Sequence, residues 1–390
     1  MGRKSKFYLL FLGGLLVLSA GAVLTALNSH LIGWSDAGEK SCRAYALVIE
    51  GTDTRVEGAE DIEIDWGRGL AYISAYNRIK VEDEIAAGGP VYTTGGLYRL
   101  DLNQLDLSSD TIEVRDVLLD FKDRGNLRPH GISLWRMNDL VTSLFFVNRR
   151  YETIDGEILL KPTIEVFDII DGILVQRSSD GTLSDDRLCG PNDLTAVGPN
   201  RFFVTNDHGV CGGAGEFWEE LLGQKKSFVM YYNGTEFSVV ADGIAYANGI
   251  ALVVAKEPDG HDLLLVSATR ETAVHIYDVS QLEETGSLAH VGQIETGISP
   301  DNITLDSTGH IYIAGFPNIY RFAAFRDDWF GIEHVPSAAL AYMNGILSPP
   351  VKYFANKGGL LTGATVANGF GDLRMVMSGF DHKLVICQSG

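Results

Sequence analysis

Six units of one build recur along the chain. Each is a short apolar strand, a turn of Gly, Asn or Asp, and a second apolar strand. They begin near Asp61 (Asp-Ile-Glu-Ile, then Gly69-Leu-Ala-Tyr-Ile-Ser), Gly131 (Ile-Ser-Leu-Trp, then Leu144-Phe-Phe-Val-Asn), Asn192, Asn248, Asn302 and Gly363. Alternating apolar residues around such turns are the pattern of antiparallel strands. The starts lie roughly 55 to 70 residues apart, above the ~40 to 50 of a common blade repeat, so loops take up the excess. A small sheet with two apolar faces is covered only by neighbours of its own kind. The pattern therefore predicts an all-β chain, a six-bladed β-propeller with a central tunnel. A β-sandwich array is the competing fold, but it does not explain why the units open alike. With 390 residues, one propeller can fill the chain from 42 to 390.

Arg3, Lys4 and Lys6 precede an almost wholly apolar, uncharged run from Phe7 to Leu27. That is about the ~20 residues a spanning helix needs. Basic residues before the run place the N-terminus in the cytosol and the bulk in the lumen or outside. Ala20-Gly21-Ala22 also suits cleavage, so residues 1–28 are a signal peptide or an uncleaved signal anchor, with 29–41 as linker. Either reading gives a membrane-anchored or secreted protein in an oxidising compartment. There Cys42, Cys189, Cys211 and Cys387 can pair in any of three ways. A Cys42–Cys387 bond would tie the two ends together, and Cys189 and Cys211 could form a second. Asn233-Gly234-Thr235 is a glycosylation sequon in an expected hairpin turn.

The formal charge of −20 argues against a nucleic-acid partner, which would want a basic stripe. In a propeller the first strands line the tunnel, so the residues that open them converge on one mouth. Here those are Glu60 and Asp61, Asn192 and Asp193, Asn248, and Asp301 and Asn302. All offer hard oxygen and none offers sulfur or imidazole, which favours calcium over zinc or copper. Singly, an Asn-Gly or Asp-Asn pair is ordinarily a turn or cap. Their recurrence at matched positions is what points to a metal. Asn302-Ile303-Thr304 also has sequon form, but an Asn at the tunnel mouth is closed to glycosylation.

Gly58-Ala59-Glu60-Asp61-Ile62-Glu63-Ile64, Pro129-His130-Gly131-Ile132-Ser133, Pro191-Asn192-Asp193-Leu194, Thr205-Asn206-Asp207-His208, Tyr246-Ala247-Asn248-Gly249-Ile250 and Pro300-Asp301-Asn302-Ile303 together resemble the paraoxonase/arylesterase family, in order, over nearly the whole chain. The resemblance implies two calcium ions in the tunnel and hydrolysis of small apolar lactones and aryl esters. It assigns Glu60, Asn192, Asn248, Asp301 and Asn302 to a catalytic ion. Asp61, Asp193 and the Ile132 carbonyl would hold a structural ion, and Cys42 would pair with Cys387. Cys189 and Cys211 have no counterpart in the family.

A bound calcium ion can polarise an ester carbonyl while a base activates water. His130, beside Gly131, is the candidate base, set against a histidine simply packed in the tunnel wall. The family's second dyad histidine falls at Arg149, which stays protonated and cannot relay a proton. Asp207 and His208 are then the substitute proton acceptors, and Arg149 either binds a carboxylate product or makes a surface ion pair. Phe316 stands where the family commonly has histidine and makes the pocket wall more apolar. Gly209 to Gly215 is expected as a loop. Glu216 to Leu222 is expected as a short helix serving as a lid or membrane-facing patch. No Gly-x-Ser-x-Gly, HExxH or phosphate-binding loop occurs. Two other functions fit: a calcium-stabilised propeller that binds an apolar ligand or partner without turnover, and a gluconolactonase-like or strictosidine-synthase-like propeller.

Overall fold

The computed structural model describes residues 41–137, 140–170, 172–179, 181–256 and 260–388. The expected signal or anchor, 1–28, lies outside the described residues. Among the described residues no helix is long and apolar enough to cross a membrane.

The second strand of each unit shows why the chain folds as stacked sheets. In Leu140–Asn148, Leu144 and Phe146 enter a cluster with Ile132, Leu134 and Phe167. Phe145 and Val147, pointing the other way, enter a different cluster with Phe202, Val204 and Met230. The period of two thus feeds two cores, one on each side of the sheet. The same division occurs in Leu263–Ala268, where Leu264 and Val266 face one cluster and Leu265 the next. A strand buried on both faces has no polar side, which is why these segments read as continuous apolar runs.

Three antiparallel four-stranded sheets follow one another: Pro191–Gly198 to Phe237–Ile244, Ala247–Val253 to Ala289–Glu295, and Ser299–Leu305 to Val351–Asn356. A five-stranded sheet built on Pro129–Met137 precedes them, carrying Thr182–Leu183 as an extra short strand. An eight-stranded sheet joins the first and last parts of the chain. In it Ala59–Asp65 through Thr111–Asp116 continue into Cys42–Ile49, Lys383–Gln388, Leu373–Met377 and Val366–Phe370. Cys42–Ile49 runs antiparallel to Lys383–Gln388, with Cys42 opposite Cys387, and parallel to Thr111–Asp116. The Cys42–Cys387 disulfide forms at that register pair. The result is an all-β, propeller-like fold.

First strands pack on one another in sequence: Ala59–Asp65 on Pro129–Met137, that on Pro191–Gly198, then Ala247–Val253, Ser299–Leu305 and Val366–Phe370, which returns to Ala59–Asp65. Glycines permit the close approach. A Cβ at Gly131 would stand 2.6 Å from the Asn192 carbonyl oxygen, and one at Gly249 would stand 2.6 Å from Ile303 N. Helices are few and sit over the strand ends. Arg78–Ala86 is capped by Asn77, Ile319–Arg326 by Asn318, and Gly213–Leu222 takes the place expected of Glu216–Leu222. The expected glycine loop is thus shorter than foreseen, because the helix starts at Gly213.

Candidate active site

Five of the six first strands carry a β-bulge, and each bulge falls on the residues singled out above. Pairing shifts between Ala59 and Asp61, Pro129 and Ile132, Pro191 and Leu194, Ala247 and Ile250, and Pro300 and Ile303. A bulge lifts residues out of the ladder and re-aims their side chains, here Glu60, His130, Asn192, Asp193, Asn248, Asp301 and Asn302. The backbone groups it frees need other partners. Thr205 Oγ1 donates to the Asn248 carbonyl at 2.6 Å, Thr269 Oγ1 to Pro300 at 2.7 Å, and Thr365 Oγ1 to Glu60 at 2.9 Å.

Asp61 and Asp193 repeat one arrangement. Asp61 accepts from its own neighbour Ile62 N at 2.8 Å and from Ile132 N on the next first strand at 2.9 Å. Asp193 accepts from Leu194 N at 2.7 Å and Ile250 N at 2.9 Å. Each carboxylate therefore stitches adjacent first strands. It is the N–H of Ile132 that meets Asp61. Burial pushes the Asp61 carboxyl up to about 8 and that of Asp193 well above the usual range, where the charge of Asp61 adds to the effect.

Glu60, Asn192, Asn248, Asp301 and Asn302 are all buried. Asn302 Nδ2 donates to the Glu60 carbonyl at 3.1 Å, which turns its amide oxygen the other way. Asn302 Oδ1 and Asn248 Oδ1 are buried without a hydrogen-bond partner among the described residues. Such orphans carry a desolvation penalty until an acceptor-seeking group arrives. Burial raises the carboxyls of Glu60 and Asp301, and Glu60's charge raises Asp301 further. Among the described residues no three His, Cys, Asp or Glu gather as a metal-holding group. A cation here would have to use the amide oxygens, and two desolvated carboxylates with free amide oxygens fit a hard ion. Asn192, Asn248 and Asp301 line a cavity together with Arg78, Phe316 and Phe322. Phe316 stacks on Phe322 with ring centroids 3.8 Å apart, which provides the apolar wall.

His130 is wholly buried, both ring nitrogens lack hydrogen-bond partners, and Nδ1 stands 3.6 Å from Glu60 Oε1. Burial first, then the charges of Arg149 and Arg78, hold its pKa well below the ordinary value. The ring is neutral, so the contact with Glu60 is not an ion pair. Tyr76 meets it edge-on at 6.1 Å.

Arg149 Nη2 pairs with Asp207 Oδ2 at 3.2 Å, Asp207 Oδ1 takes His208 Nδ1 at 2.7 Å, and Asn192 Nδ2 donates to Asp207 Oδ2 at 3.4 Å. Burial alone would lower the pKa of His208, but Asp207 outweighs it and holds it up at about 9. Burial would raise Asp207, yet His208 and Arg149 keep it below its ordinary value. His208 thus already carries a proton at neutral pH and Asp207 is committed to two cations. That suits charge partners, not the substitute proton acceptors expected from the sequence. Arg149 makes an ion pair, but a buried one with Asp207, not the surface pair expected.

Sequence reasoning missed Arg78, whose Nη1 lies 3.4 Å from Glu60 Oε2, because it sits on the unforeseen helix. It also passed over Tyr246, whose φ of 64° is uncommon for a non-glycine residue and whose ring meets His208 edge-on at 5.1 Å. Its place two residues before Asn248 was the available signal. Cys189 and Cys211 are bonded across the stretch that carries Asp207 and His208.

The model of the arylesterase family matches residues 45–389. The chain belongs to the arylesterase family. Serum paraoxonase/arylesterase 2 of Gallus gallus is 29% identical over 347 residues, 87% of this chain and 88% of that protein. Serum paraoxonase/arylesterase 1 of Homo sapiens is 28% identical over 348 residues, 87% and 88% of the two chains. Serum paraoxonase/arylesterase 2 of Homo sapiens is 27% identical over 394 residues and the full length of both. Among solved structures, a gluconolactonase from Xanthomonas campestris aligns at 13% identity over 91% of this chain and 97% of its own, with a TM-score of 0.42. A calcium-binding protein, regucalcin, from Agrobacterium tumefaciens aligns at 12% identity over 86% and 91%, with a TM-score of 0.44. The arylesterase membership agrees with the resemblance carried by the six motifs.

Proposed function

We propose that this arylesterase-family chain is a calcium-dependent hydrolase of carboxylic esters, acting on lactones and aryl esters. The observation that carries the proposal is the pair of buried, unpartnered amide oxygens on Asn248 and Asn302 beside the desolvated carboxylates of Glu60 and Asp301. Glu60, Asn192, Asn248, Asp301 and Asn302 would hold one ion. Asp61, Asp193 and the Ile132 carbonyl would hold a second. The fold is read as six blades, the eight-stranded sheet counting as two joined through Cys42–Ile49.

Glu60, Asn192, Asn248, Asp301 and Asn302 would hold the ion, which when bound would supply Lewis acidity toward the ester carbonyl. His130 supplies the base. Its Nδ1 faces the Glu60 carboxylate, which favours the tautomer with the proton there and leaves Nε2 as the acceptor. Nε2 takes a proton from water as the water oxygen bonds to the acyl carbon, and returns that proton to the leaving alkoxide or phenoxide as the acyl C–O bond breaks. Asp207 holds the Asn192 amide by its NH2 and so directs the oxygen away from itself. Arg149 and His208 keep Asp207 ionised for that task. Phe316 and Phe322 exclude water around the acyl group.

A membrane-anchored or secreted location agrees with the apolar N-terminal run, two disulfides and an exposed Asn233 in the hairpin turn after Ser227–Tyr232. Arg149 in place of a second histidine supports a second reading, a calcium-stabilised propeller that binds an apolar ligand without turnover. Asn248→Ala separates the two. On the hydrolase reading, phenyl acetate and lactone turnover falls far more than folding stability. Full activity in that variant would remove the calcium assignment.

A further inference from the structure

The Cys189–Cys211 bond takes no part in the proposed hydrolysis, yet it lies against the residues that would carry it out. Cys211 is exposed and Cys189 half-buried. In the other bond Cys42 is half-buried and Cys387 only 4% exposed. A disulfide is cleaved by a thiolate that reaches one of its sulfurs, so access decides which bond is cut first. Asn206 Nδ2 donates to Cys189 Sγ at 3.9 Å. Charge that develops on Cys189 as it departs is therefore met by a donor, and a stabilised leaving thiolate speeds the exchange. The arrangement favours attack at Cys211 with Cys189 leaving.

The bond ties the two ends of a hairpin that carries site residues. Between its cysteines run Pro191–Gly198 and Arg201–Asn206, with Asn192 shortly after Cys189 and His208 shortly before Cys211. Asn206 is the shared post. Its Oδ1 accepts from Gly190 N at 2.8 Å, and its Nδ2 donates to the His208 carbonyl as well as to Cys189 Sγ. Asp207 N in turn donates to the Gly190 carbonyl at 2.8 Å, while the Asp207 carboxylate holds the Asn192 amide. Past His208 the chain is fastened by Glu219, which accepts from Gly209 N at 2.7 Å and Val210 N at 3.0 Å. Gly212 and Gly213 follow in left-handed conformation, with φ of 79° and 71°, where glycine turns without strain. With the bond cut, this largely exposed segment has few constraints against local opening. The movement reaches Asn206, and through it the His208 carbonyl, Asp207 and the Asn192 amide.

We propose that Cys189–Cys211 is a reducible clamp on the site: a dithiol opens it, the segment of Asp207 and His208 loosens, and turnover falls while Cys42–Cys387 keeps the fold closed. The inference rests on the hydrolase reading and adds a control to it. A thiolate of the reductant attacks Cys211 Sγ, the S–S bond breaks, and its electron pair leaves on Cys189 Sγ, which takes up a proton. The reductant's second thiolate attacks its own sulfur in the mixed disulfide and releases Cys211, which is protonated in turn. The dithiol has become a disulfide, and the protein has gained two electrons and two protons. Reoxidation restores the clamp.

The test equilibrates the full chain with dithiothreitol at set ratios of its reduced and oxidised forms. Alkylation and mass spectrometry identify the freed cysteines, and turnover of phenyl acetate and a lactone is followed beside hydrogen exchange. Cys189 and Cys211 should be alkylated at reductant levels that leave Cys42 and Cys387 bonded. In that state kcat/KM should fall about tenfold, exchange over residues 206–213 should rise about tenfold or more, and reoxidation should reverse both. The double variant Cys189→Ser, Cys211→Ser should show the reduced protein's turnover without reductant and respond no further to it. Release of all four cysteines together, or unchanged turnover with Cys189 and Cys211 alone alkylated, overturns the clamp and leaves the hydrolase reading standing. If neither form hydrolyses either substrate, the hydrolase reading falls and the clamp rests on the exchange; exchange unaltered by reduction then removes it too.

Discussion

Arg149 Nη2 stands 3.2 Å from Asp207 Oδ2, and both side chains are almost wholly buried. The arginine therefore has a settled structural partner where a proton-relaying histidine was expected. Removing one member of a buried pair strands the other's charge, though His208 still faces Asp207. Arg149→Met should lower stability by about 2 to 3 kcal/mol in urea unfolding, with Arg149→Lys losing less. A change within a few tenths of a kcal/mol would mean that the pair is not formed in solution.

His208 gives a pH signature. Its folded-state pKa of about 9 lies above the ordinary 6.5, so its contribution is complete below about pH 6.5 and drains away as pH rises through about 9. Asp207 is shifted the opposite way and loses its contribution only as pH falls through the acidic carboxylate range. Between pH 6.5 and 9 the wild type should thus lose up to about 3 kcal/mol from this group. His208→Gln should flatten that part of the curve of unfolding free energy against pH. A variant as steep as the wild type would assign the slope to another group.

Two glycines near the site should answer differently to a methyl group. At Gly379 the added Cβ would overlap Glu60 Oε2, the end of a side chain, whereas at Gly249 it meets the backbone of Asp301, Asn302 and Ile303. Gly379→Ala should displace the Glu60 carboxylate and weaken calcium binding by about tenfold or more, while the protein still folds. Gly249→Ala has only backbone to push and should cost about 3 kcal/mol or more. Calcium titration and urea unfolding of both variants distinguish them. Equal calcium affinity in Gly379→Ala and wild type would take Glu60 out of the ligand set.

The Cys42–Cys387 bond joins residues 345 apart, and the strands it links also join the two halves of the eight-stranded sheet. Replacing both cysteines with serine should cost about 4 kcal/mol and expose the N-terminal strand to limited proteolysis. The Cys189–Cys211 bond joins residues 22 apart and should contribute about 3 kcal/mol or less. Its loss should fall mainly on Asp207 and His208 between its ends.

The starts of the six repeated strands were legible because a period of two, broken by glycine and asparagine, is written in consecutive residues. Leu144-Phe145-Phe146-Val147 shows it plainly, each residue pointing to the core opposite its neighbour's. The ligand candidates were legible for the same reason, since each falls at a matched place in its unit. What the sequence did not disclose were relationships between distant elements. The bulges at Asn192 and Asp301 are defined against partner strands, so no single strand reveals them. Arg78 reaches Glu60 only because a helix folds over the strand ends. The protonation of His208 depends on how Asp207 divides its two oxygens between neighbours.

The most direct test follows phenyl acetate and lactone hydrolysis by the protein while free calcium is titrated down with a chelator, with folding recorded in parallel. The account predicts that turnover disappears at calcium levels where the fold still stands, because the ion at Glu60, Asn248 and Asp301 is lost before the one at Asp61 and Asp193. Turnover that persists after calcium is removed, in a protein still folded, would contradict it.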